Sequence, residues 1–143
     1  MQVKELMTKD VTKVNANSSV SEIAKDMKSL NVGSIPVCDD NNNVVGIVTD
    51  RDIVLRDVAS GDHHHNSTAQ NVMSSHLVTV TPDTDVHEAA NIMAKNQIRR
   101  LPVVENGKLV GMLSIGDLAT KNIYVNEAGD ALSSISTPSN PMK

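Results

Sequence analysis

The chain of 143 residues almost lacks aromatic side chains, since it has no Trp, no Phe and only Tyr124. Proteins that bind single-stranded nucleic acid stack its bases on aromatic rings, and a general nucleic-acid surface is basic. Here the net charge is −4 and the pI is about 5.6. The composition therefore argues against a nucleic-acid partner, and a purine ligand would have to lie between aliphatic side chains.

Long apolar runs and cysteine pairs are missing as well. No run approaches the roughly 18 apolar residues of a membrane span, and the first residues lack the layout of a signal peptide. We therefore expect a cytoplasmic protein without a membrane partner. Cys38 is the only cysteine, which excludes an intramolecular disulfide. Its place at the end of an apolar segment favours a small core or edge residue over a nucleophile.

An internal repeat organises the sequence. Matching positions lie 66 residues apart up to a polar turn and 65 apart after it, as in Met7 and Met73, Ile35-Pro36-Val37 and Leu101-Pro102-Val103, and Gly46 and Gly111. The turn Asp40-Asn41-Asn42-Asn43 is one residue longer than its counterpart. We expect repeats over 1–58 and 69–125, a polar linker over 59–68, and a tail over 126–143 that is loose from Ser133.

Each repeat predicts the order strand, helix, strand, strand, helix, which is an α+β fold. The first strands are expected at Val11–Val14 and Leu77–Val80, and the opening segments 3–7 and 70–73 as helical turns. Ser19 and Asp85 are expected to cap the first helices. Their apolar faces are Val20, Ile23, Ala24, Met27 and Leu30, and Val86, Ala89, Ala90 and Met93. Neither repeat buries its sheet alone, so the two should pack about a pseudo-twofold axis as one module.

Each repeat ends in a segment with Gly, two apolar residues, a hydroxyl residue, two variable residues and Asp. The copies are Gly46-Ile47-Val48-Thr49-Asp50-Arg51-Asp52 and Gly111-Met112-Leu113-Ser114-Ile115-Gly116-Asp117. The pattern predicts a strand that runs into a helix whose first turn is closed by a variant capping box. The N–H groups of that turn can also bind a phosphate, and the carboxylate can accept hydrogen bonds from both hydroxyls of a ribose. Both the structural and the ligand-binding interpretation stay open at this point.

The order of these motifs, twice in register, resembles the cystathionine-β-synthase (CBS) domain, which occurs in tandem pairs. The residues that carry the resemblance are Met7 and Met73, the segments around Pro36 and Pro102, and the two segments that end in Asp52 and Asp117. The resemblance covers about residues 1 to 125. It implies a Bateman module, a regulatory unit that binds adenosine derivatives such as AMP, ADP, ATP, NAD or S-adenosylmethionine.

The resemblance also implies binding residues. The ribose-binding acids fall on Asp52 and Asp117, and the hydroxyls near the phosphate on Thr49 and Ser114. The base would lie between the repeats. The Asp52 site would add Ile47 with Val78, Thr79 and Val80, and the Asp117 site would add Met112 with Thr12, Lys13 and Val14.

The two implied sites differ just before the proline. The second repeat has Arg99-Arg100 at a position that, in the family, faces the phosphates of the first repeat's site, whereas the first repeat has Gly33-Ser34. Two guanidinium groups make charge-assisted phosphate contacts that Gly and Ser cannot make. We therefore expect the Asp52 site to be the stronger one, against the alternative that the arginines are solvated surface charges.

Catalysis and metal binding find little support in the sequence. No nucleophile elbow, Walker loop, dinucleotide fingerprint or zinc-protease motif is present. His63, His64 and His65 follow Asp62 in the linker, and these are metal-ligand types. Three consecutive residues do not easily converge on one ion, so a polar linker is favoured over a metal site.

We therefore expect a non-catalytic sensor that needs no cofactor, binds an adenosine nucleotide, with AMP or ATP favoured, and acts on a separate protein. The alternative is an interaction or structural module whose nucleotide sites are vestigial.

The helices that follow the two motifs also predict an assembly. They are expected over 51–58 and from 116 to about 123, with apolar residues in excess of a small core: Ile53, Val54, Val58, Leu118 and Ala119. Such a patch usually marks an interface. CBS modules pair through these helices, so we expect a twofold homodimer. A monomer whose helices are covered by residues 124–135 is the alternative.

Overall fold

A two-stranded sheet and two longer helices form each repeat in the computed structural model, which describes residues 1–60, 67–120 and 125–137. The first repeat consists of α1 (Val20–Leu30), β1 (Ser34–Cys38), β2 (Val44–Thr49) and α2 (Asp50–Arg56). The second begins with α3 (Ala69–Val72) and continues with α4 (Val86–Asn96), β3 (Arg100–Glu105), β4 (Lys108–Ser114) and α5 (Ile115–Ala119). A further helix, α6 (Val125–Ser136), follows; the side chains of residues 125–127 are not described. The predicted α+β fold with two copies of one element order is confirmed.

The eleven-residue helices α1 and α4 begin and end at matching positions of the repeat. The Ser19 hydroxyl accepts a hydrogen bond from the Glu22 N–H at 3.1 Å, and the Asp85 carboxylate accepts one from the His87 N–H at 2.8 Å. These contacts confirm the predicted helix starts. The residue after each helix, Asn31 after α1 and Gln97 after α4, is left-handed, with φ values of 55° and 54°. Among the described residues, no helix is long and apolar enough to cross a membrane.

The strands predicted at Val11–Val14 and Leu77–Val80 are wrong except for their last residues. The Val14 N–H donates to the Pro36 carbonyl at 3.1 Å, and the Val80 N–H donates to the Pro102 carbonyl at 3.1 Å. Each contact belongs to a single parallel bridge. One further pair toward Val11 or Leu77 would need an N–H from the proline of that repeat, which has none. The prolines that mark each repeat therefore end the parallel pairing after one residue.

The hairpin turns explain why the offset of the repeat changes. Asn106 and Gly107 both have positive φ values, 55° and 80°, as the two-residue turn between β3 and β4 requires. The longer first turn is closed by Asp39, whose Oδ1 accepts from the N–H groups of Asn41 and Asn43, both at 2.9 Å. Hydrogen bonds from Asn43, through its backbone first and then its side chain, lower the pKa of Asp39. The Asp39 carboxylate thus organises this turn, and Asn42, with a φ of 66°, takes its left-handed position.

The described residues form two compact units, and the opening segment of each repeat belongs to the unit that contains most of the other repeat. The Asp52 unit contains Thr12–Leu77 with Asn106–Leu109, and the Asp117 unit contains Met1–Val11, Val78–Glu105 and the described residues from Val110 on. The segments predicted as helical turns form a 3₁₀ turn at Val3–Glu5 and the short helix α3. Val3 lies in the core of the Asp117 unit, whereas Ala69 and Val72 lie in that of the Asp52 unit. Packing thus groups each opening segment with the other repeat, and the boundaries 1–58 and 69–125 stay a prediction.

Helix α6 makes the two cores unequal. It packs against α4 and α5, so the prediction of a loose tail from Ser133 is wrong as far as Ser136. Ala90 on α4 is buried, whereas its repeat partner Ala24 on α1 is exposed. Leu30 is exposed as well, so the predicted apolar face of α1 is only partly in the core. No matching helix covers α1 in the described part of the Asp52 unit.

The predicted apolar patch on the motif helices requires the same correction. Leu118 on α5 is fully buried and cannot belong to it, while Ala119 is exposed. On α2, Ile53 packs against the core and Val54 is 54% exposed. Helix α2 ends at Arg56, and Val58 begins a 3₁₀ turn; α5 ends at Ala119, and residues 121–124 lie outside the described residues. The exposed apolar residues therefore gather around α2.

Candidate functional site

Both motifs form reciprocal capping boxes. The Thr49 N–H donates to Oδ2 of Asp52 at 2.9 Å, and the Asp52 N–H donates to the Thr49 hydroxyl at 3.1 Å. In the second repeat, the Ser114 N–H donates to Oδ2 of Asp117 at 2.8 Å, and the Asp117 N–H donates to the Ser114 hydroxyl at 3.2 Å. The predicted strand-to-helix turn and its capping are confirmed in both copies.

The capping box fixes each motif carboxylate through Oδ2 and makes no hydrogen bond to its Oδ1. Both Asp52 and Asp117 are half-buried, and within the described residues nothing hydrogen-bonds their Oδ1 atoms. A carboxylate oxygen has two lone-pair directions and can accept from neighbouring hydroxyl groups. Each motif therefore presents an oriented acceptor for a diol, because the capping box holds the Asp side chain in one conformation at the start of the helix.

The first residue of each motif is glycine because another segment crosses directly over it. A Cβ at Gly46 would lie 2.5 Å from the sulfur of Met73 and 3.1 Å from the carbonyl oxygen of Ser74. Ile47 and Ser74 exchange both backbone hydrogen bonds, at 3.0 and 2.9 Å. We call residues Val72–Ser74 the crossing segment. It fixes the strand position that precedes the capping box.

The second motif has the same arrangement within the Asp117 unit. A Cβ at Gly111 would lie 2.7 Å from the sulfur of Met7 and 2.8 Å from the carbonyl oxygen of Thr8. Thr8 and Met112 exchange backbone hydrogen bonds at 2.9 and 3.0 Å. The methionines that open the repeats thus pack on the motif glycines of the unit to which their own segment belongs.

The Asp52 unit holds the other site residues expected from the first repeat. Ser34 pairs with Thr49 across the sheet, and the Gly33 carbonyl accepts from the Asp50 N–H at 2.9 Å. Val14 is half-buried beside β1, whereas Thr12 and Lys13 are exposed. The Lys13 ammonium donates to the side-chain oxygen of Asn42. The structure therefore brings Gly33 and Ser34 directly to their own motif.

The Asp117 unit repeats this layout with different chemistry. Val80 is buried, and Val78 and Thr79 are half-buried. The Arg99 carbonyl accepts from the Ile115 N–H at 2.9 Å, so the backbone of Arg99 lies beside the second motif. The side chains of Arg99 and Arg100 are exposed. Guanidinium groups stand here where the Asp52 unit has Gly33 and Ser34.

Arg56 is a further residue beside the first motif that was not among the predicted site residues. Its Nη1 lies 3.9 Å from Oδ1 of Asp52 and donates to the carbonyl oxygens of Val72 and Met73 at 2.9 and 3.1 Å. The spacing of four residues between Asp52 and Arg56 is a known signal for a side-chain pair on a helix. Nothing in the sequence indicates the two carbonyl contacts.

Neither a metal centre nor a reactive thiol is indicated in the described parts of the chain. They contain no group of three His, Cys, Asp or Glu side chains that could hold a metal ion. His63, His64 and His65 lie outside the described residues. Cys38 is 3% exposed, and burial raises the pKa of its thiol, with a smaller opposing effect of Lys13. The interpretation of Cys38 as a core residue is confirmed.

Comparisons with known proteins agree with this geometry. The CBS domain model matches residues 3–58 and 69–123. The CBS domain-containing protein YhcV of Bacillus subtilis (strain 168) is 42% identical over 134 residues, which are 94% of each chain. The structure of CBSX2 in complex with AMP has a TM-score of 0.77 at 27% identity and covers 87% of this chain and 98% of its own.

A second solved structure shows the same pair of repeats. The CBS domain pair of protein MJ0100, in complex with 5′-methylthioadenosine and S-adenosyl-L-methionine, has a TM-score of 0.73 at 27% identity. It covers 84% of this chain and 94% of its own. Both repeats match the CBS domain model, and each contains the capping-box motif and a glycine over which another segment passes. The chain therefore belongs to the CBS domain family.

Proposed function

We propose that this chain is a regulatory module that binds an adenosine nucleotide, with AMP or ATP as the ligand, and acts on a separate protein without catalysing a reaction itself. The observation that carries the proposal is the pair of half-buried carboxylates, Asp52 and Asp117, each fixed through Oδ2 with Oδ1 left for a ribose diol. The complexes of CBSX2 with AMP and of MJ0100 with adenosine derivatives support this class of ligand.

Each site is proposed to combine residues of both repeats. Asp52, Thr49 and Ile47 would bind one ligand together with Val78–Val80 and the phosphate-binding Arg99 and Arg100. Asp117, Ser114 and Met112 would bind the other together with Thr12–Val14 and, in place of arginines, Gly33 and Ser34. The exposed guanidinium groups favour a phosphorylated ligand for the first site.

Titration calorimetry with AMP, ATP, adenosine and S-adenosylmethionine tests the proposal. Asp52→Ala and Asp117→Ala each remove a charged acceptor, and a hydrogen bond to a charged group contributes about 1.5 to 3 kcal/mol. Each variant should therefore lose one binding event or weaken it by about tenfold or more. Asp10→Ala makes the same charge change at an exposed residue and should bind like the parent.

The double variant, Asp52→Ala with Asp117→Ala, decides the outcome. Unchanged affinity for every adenosine ligand in this variant would exclude the motif carboxylates as the binding groups. The alternative function, an interaction module with vestigial nucleotide sites, is favoured by the fact that the capping boxes alone account for both motifs. This alternative predicts no thermal shift with any of these ligands. A ligand that binds the native state would instead raise the free energy of unfolding by about 2.7 kcal/mol at 100 times its Kd.

The assembly that we propose is a homodimer formed through α2. Val54, Leu55 and Val58 are 54%, 53% and 67% exposed on one side of the Asp52 unit. The matching helix α5 is covered by α6. An uncovered apolar surface of this kind fits a twofold contact with a second copy, in which nucleotide binding next to α2 would be felt across the interface.

A further inference from the structure

Arg56 connects three parts of the Asp52 unit. It lies one helical turn after Asp52, and its Nη1 is 3.9 Å from the carboxylate oxygen that the capping box leaves open. The same nitrogen donates to the carbonyl oxygens of Val72 and Met73 at 2.9 and 3.1 Å. The Asp52 side chain is 16% exposed and the Arg56 side chain 50%, so the carboxylate is the more enclosed partner.

Capping of α3 accounts for only part of this arrangement. Val72 ends α3, where helix carbonyl groups have no partners within the helix and a cation is favourable. A lysine or a solvent molecule would meet that need. The contact with Asp52 is additional: the N–H groups of Nη1 donate to the two carbonyls, while the positive charge of the guanidinium group faces the carboxylate at 3.9 Å as an ion pair.

The crossing segment carries the effect of Arg56 to the base-binding part of the proposed site. Ser74 exchanges both backbone hydrogen bonds with Ile47, and the side chain of Met73 packs on Gly46. The crossing segment is thus held at its start by Arg56 and at its end by the strand. Arg56 therefore links the motif carboxylate, through the crossing segment, to the strand that contains Ile47.

We propose that Arg56 is a positioning residue of the Asp52 site, holding the Asp52 carboxylate and the Ile47 strand in the geometry that an adenosine ligand needs. This inference rests on the proposed function. It concerns the Asp52 site; position 121, the counterpart of Arg56 in the second repeat, is a lysine and lies outside the described residues.

The test uses the full chain with Asp117→Ala, so that the binding heat reports the Asp52 site. In this background, Arg56→Gln should weaken the binding of adenosine and of AMP by the same factor, about tenfold. The reason is that the hydrogen bonds from the ribose to the charged Asp52 carboxylate are disturbed in both complexes. Arg56→Lys keeps the charge and should recover part of the affinity, and it serves as the probe if Arg56→Gln does not fold. Lys25→Gln, an equal charge change at an exposed residue, should leave both affinities unchanged.

Hydrogen exchange separates positioning from a purely structural role. In the Asp117→Ala parent, saturating adenosine should slow exchange at the Ile47 and Ser74 amides, which form the pair between β2 and the crossing segment. In Arg56→Gln, adenosine at the same saturation should slow exchange at these two amides less. A role confined to fold stability would lower protection with and without ligand by the same factor, and that result would contradict the proposal.

The remaining outcomes are distinct. The proposed function of the Asp52 site fails if wild type binds neither adenosine nor AMP, or if wild type binds one of them and the Asp117→Ala parent binds neither. The positioning role of Arg56 is then overturned with it, because it requires a ligand at that site. Equal affinity in the parent and Arg56→Gln overturns the positioning role. A loss for AMP alone makes Arg56 a direct phosphate ligand. An equal loss at the Asp117 site, measured with Asp52→Ala, indicates a general effect on the fold.

Discussion

Gly46 lies directly beneath the thioether of Met73, with 2.5 Å between an ideal Cβ at position 46 and the sulfur atom. The requirement for glycine at the head of the motif is therefore steric, since its φ is not positive. In the second repeat, Gly111 faces both the sulfur of Met7 and, at 2.8 Å, the carbonyl oxygen of Thr8. A side chain end can move, whereas a paired backbone carbonyl cannot move without loss of its strand contact.

We predict that Gly111→Ala is more destabilising than Gly46→Ala, both within the range of about 1 to 3 kcal/mol typical of overpacking. Urea unfolding measures the difference. Adding Met73→Ala should recover part of the stability lost in Gly46→Ala, while Met7→Ala should not rescue Gly111→Ala. Gly129→Ala on α6 is the control, because nothing lies within 4 Å of its Cβ position and stability should rise slightly. Equal losses at the two motif glycines would contradict the steric account.

The arginines before the second proline give a prediction about ligand charge. Replacing Arg99 and Arg100 with Ala should weaken AMP and ATP far more than adenosine, and should make the remaining affinity less sensitive to salt. Calorimetry in the Asp117→Ala background assigns the effect to the Asp52 site. Lys25→Ala with Lys28→Ala is a control of equal charge, at two exposed positions of α1.

Two other results would change the assignment of these arginines. A loss seen only in the Asp52→Ala background would place their side chains at the Asp117 site, next to which the Arg99 backbone lies. An equal loss for adenosine and AMP would mean that the arginines act on the fold or on base binding.

The interface prediction depends on which apolar residues are exposed. Val54→Glu should convert the homodimer to a monomer in sedimentation at micromolar concentration, with little change in the stability of the isolated chain, because Val54 is 54% exposed. Leu118→Glu should instead unfold the protein, since a charge at a fully buried position lowers the free energy of unfolding by about 4 kcal/mol or more. A wild-type chain that sediments as a monomer with and without nucleotide would exclude the dimer.

Cys38 provides a prediction about pH and accessibility. Burial raises the pKa of its thiol, so the reactive thiolate is less populated in the folded chain than in the unfolded chain at any pH near the pKa. Alkylation at pH 8 should therefore follow the unfolded fraction along a urea titration and reach one label per chain. A Cys38→Ala, Ser133→Cys variant, with an exposed thiol, should react at once without urea. Rapid labelling of native wild type would contradict this prediction.

Local patterns in the sequence were sufficient for the repeat, the capped helices and the motif turns. Ser19, Thr49 and Ser114 cap helices within three residues of their partners, so the whole interaction is visible in a short window of sequence. The capping boxes therefore also predicted the orientation of the two motif carboxylates.

Features that depend on distant residues could not be predicted in this way. Leu118 is buried on α5, which packs against α6, and the residues of α6 lie outside the repeat and had no counterpart to compare. The contacts of Arg56 join α2 to carbonyl groups 16 and 17 residues further along, and backbone carbonyls carry no sequence signal. The proline that predicts a repeat position also removed the N–H on which the predicted first strand depended.

The exchange of opening segments sets the order in which the chain can complete its units during synthesis. Val3 is buried in the Asp117 unit, and its N–H donates to Thr84 at 2.9 Å, a residue that leaves the ribosome much later. At about 5 to 20 residues per second, the first residues wait several seconds for their partners. The Asp52 unit likewise lacks Ala69 and Val72 until the second repeat has begun. Residues 1–58 therefore have an incomplete core during synthesis, and the buried core of the Asp52 unit is complete only after Val72 has been added.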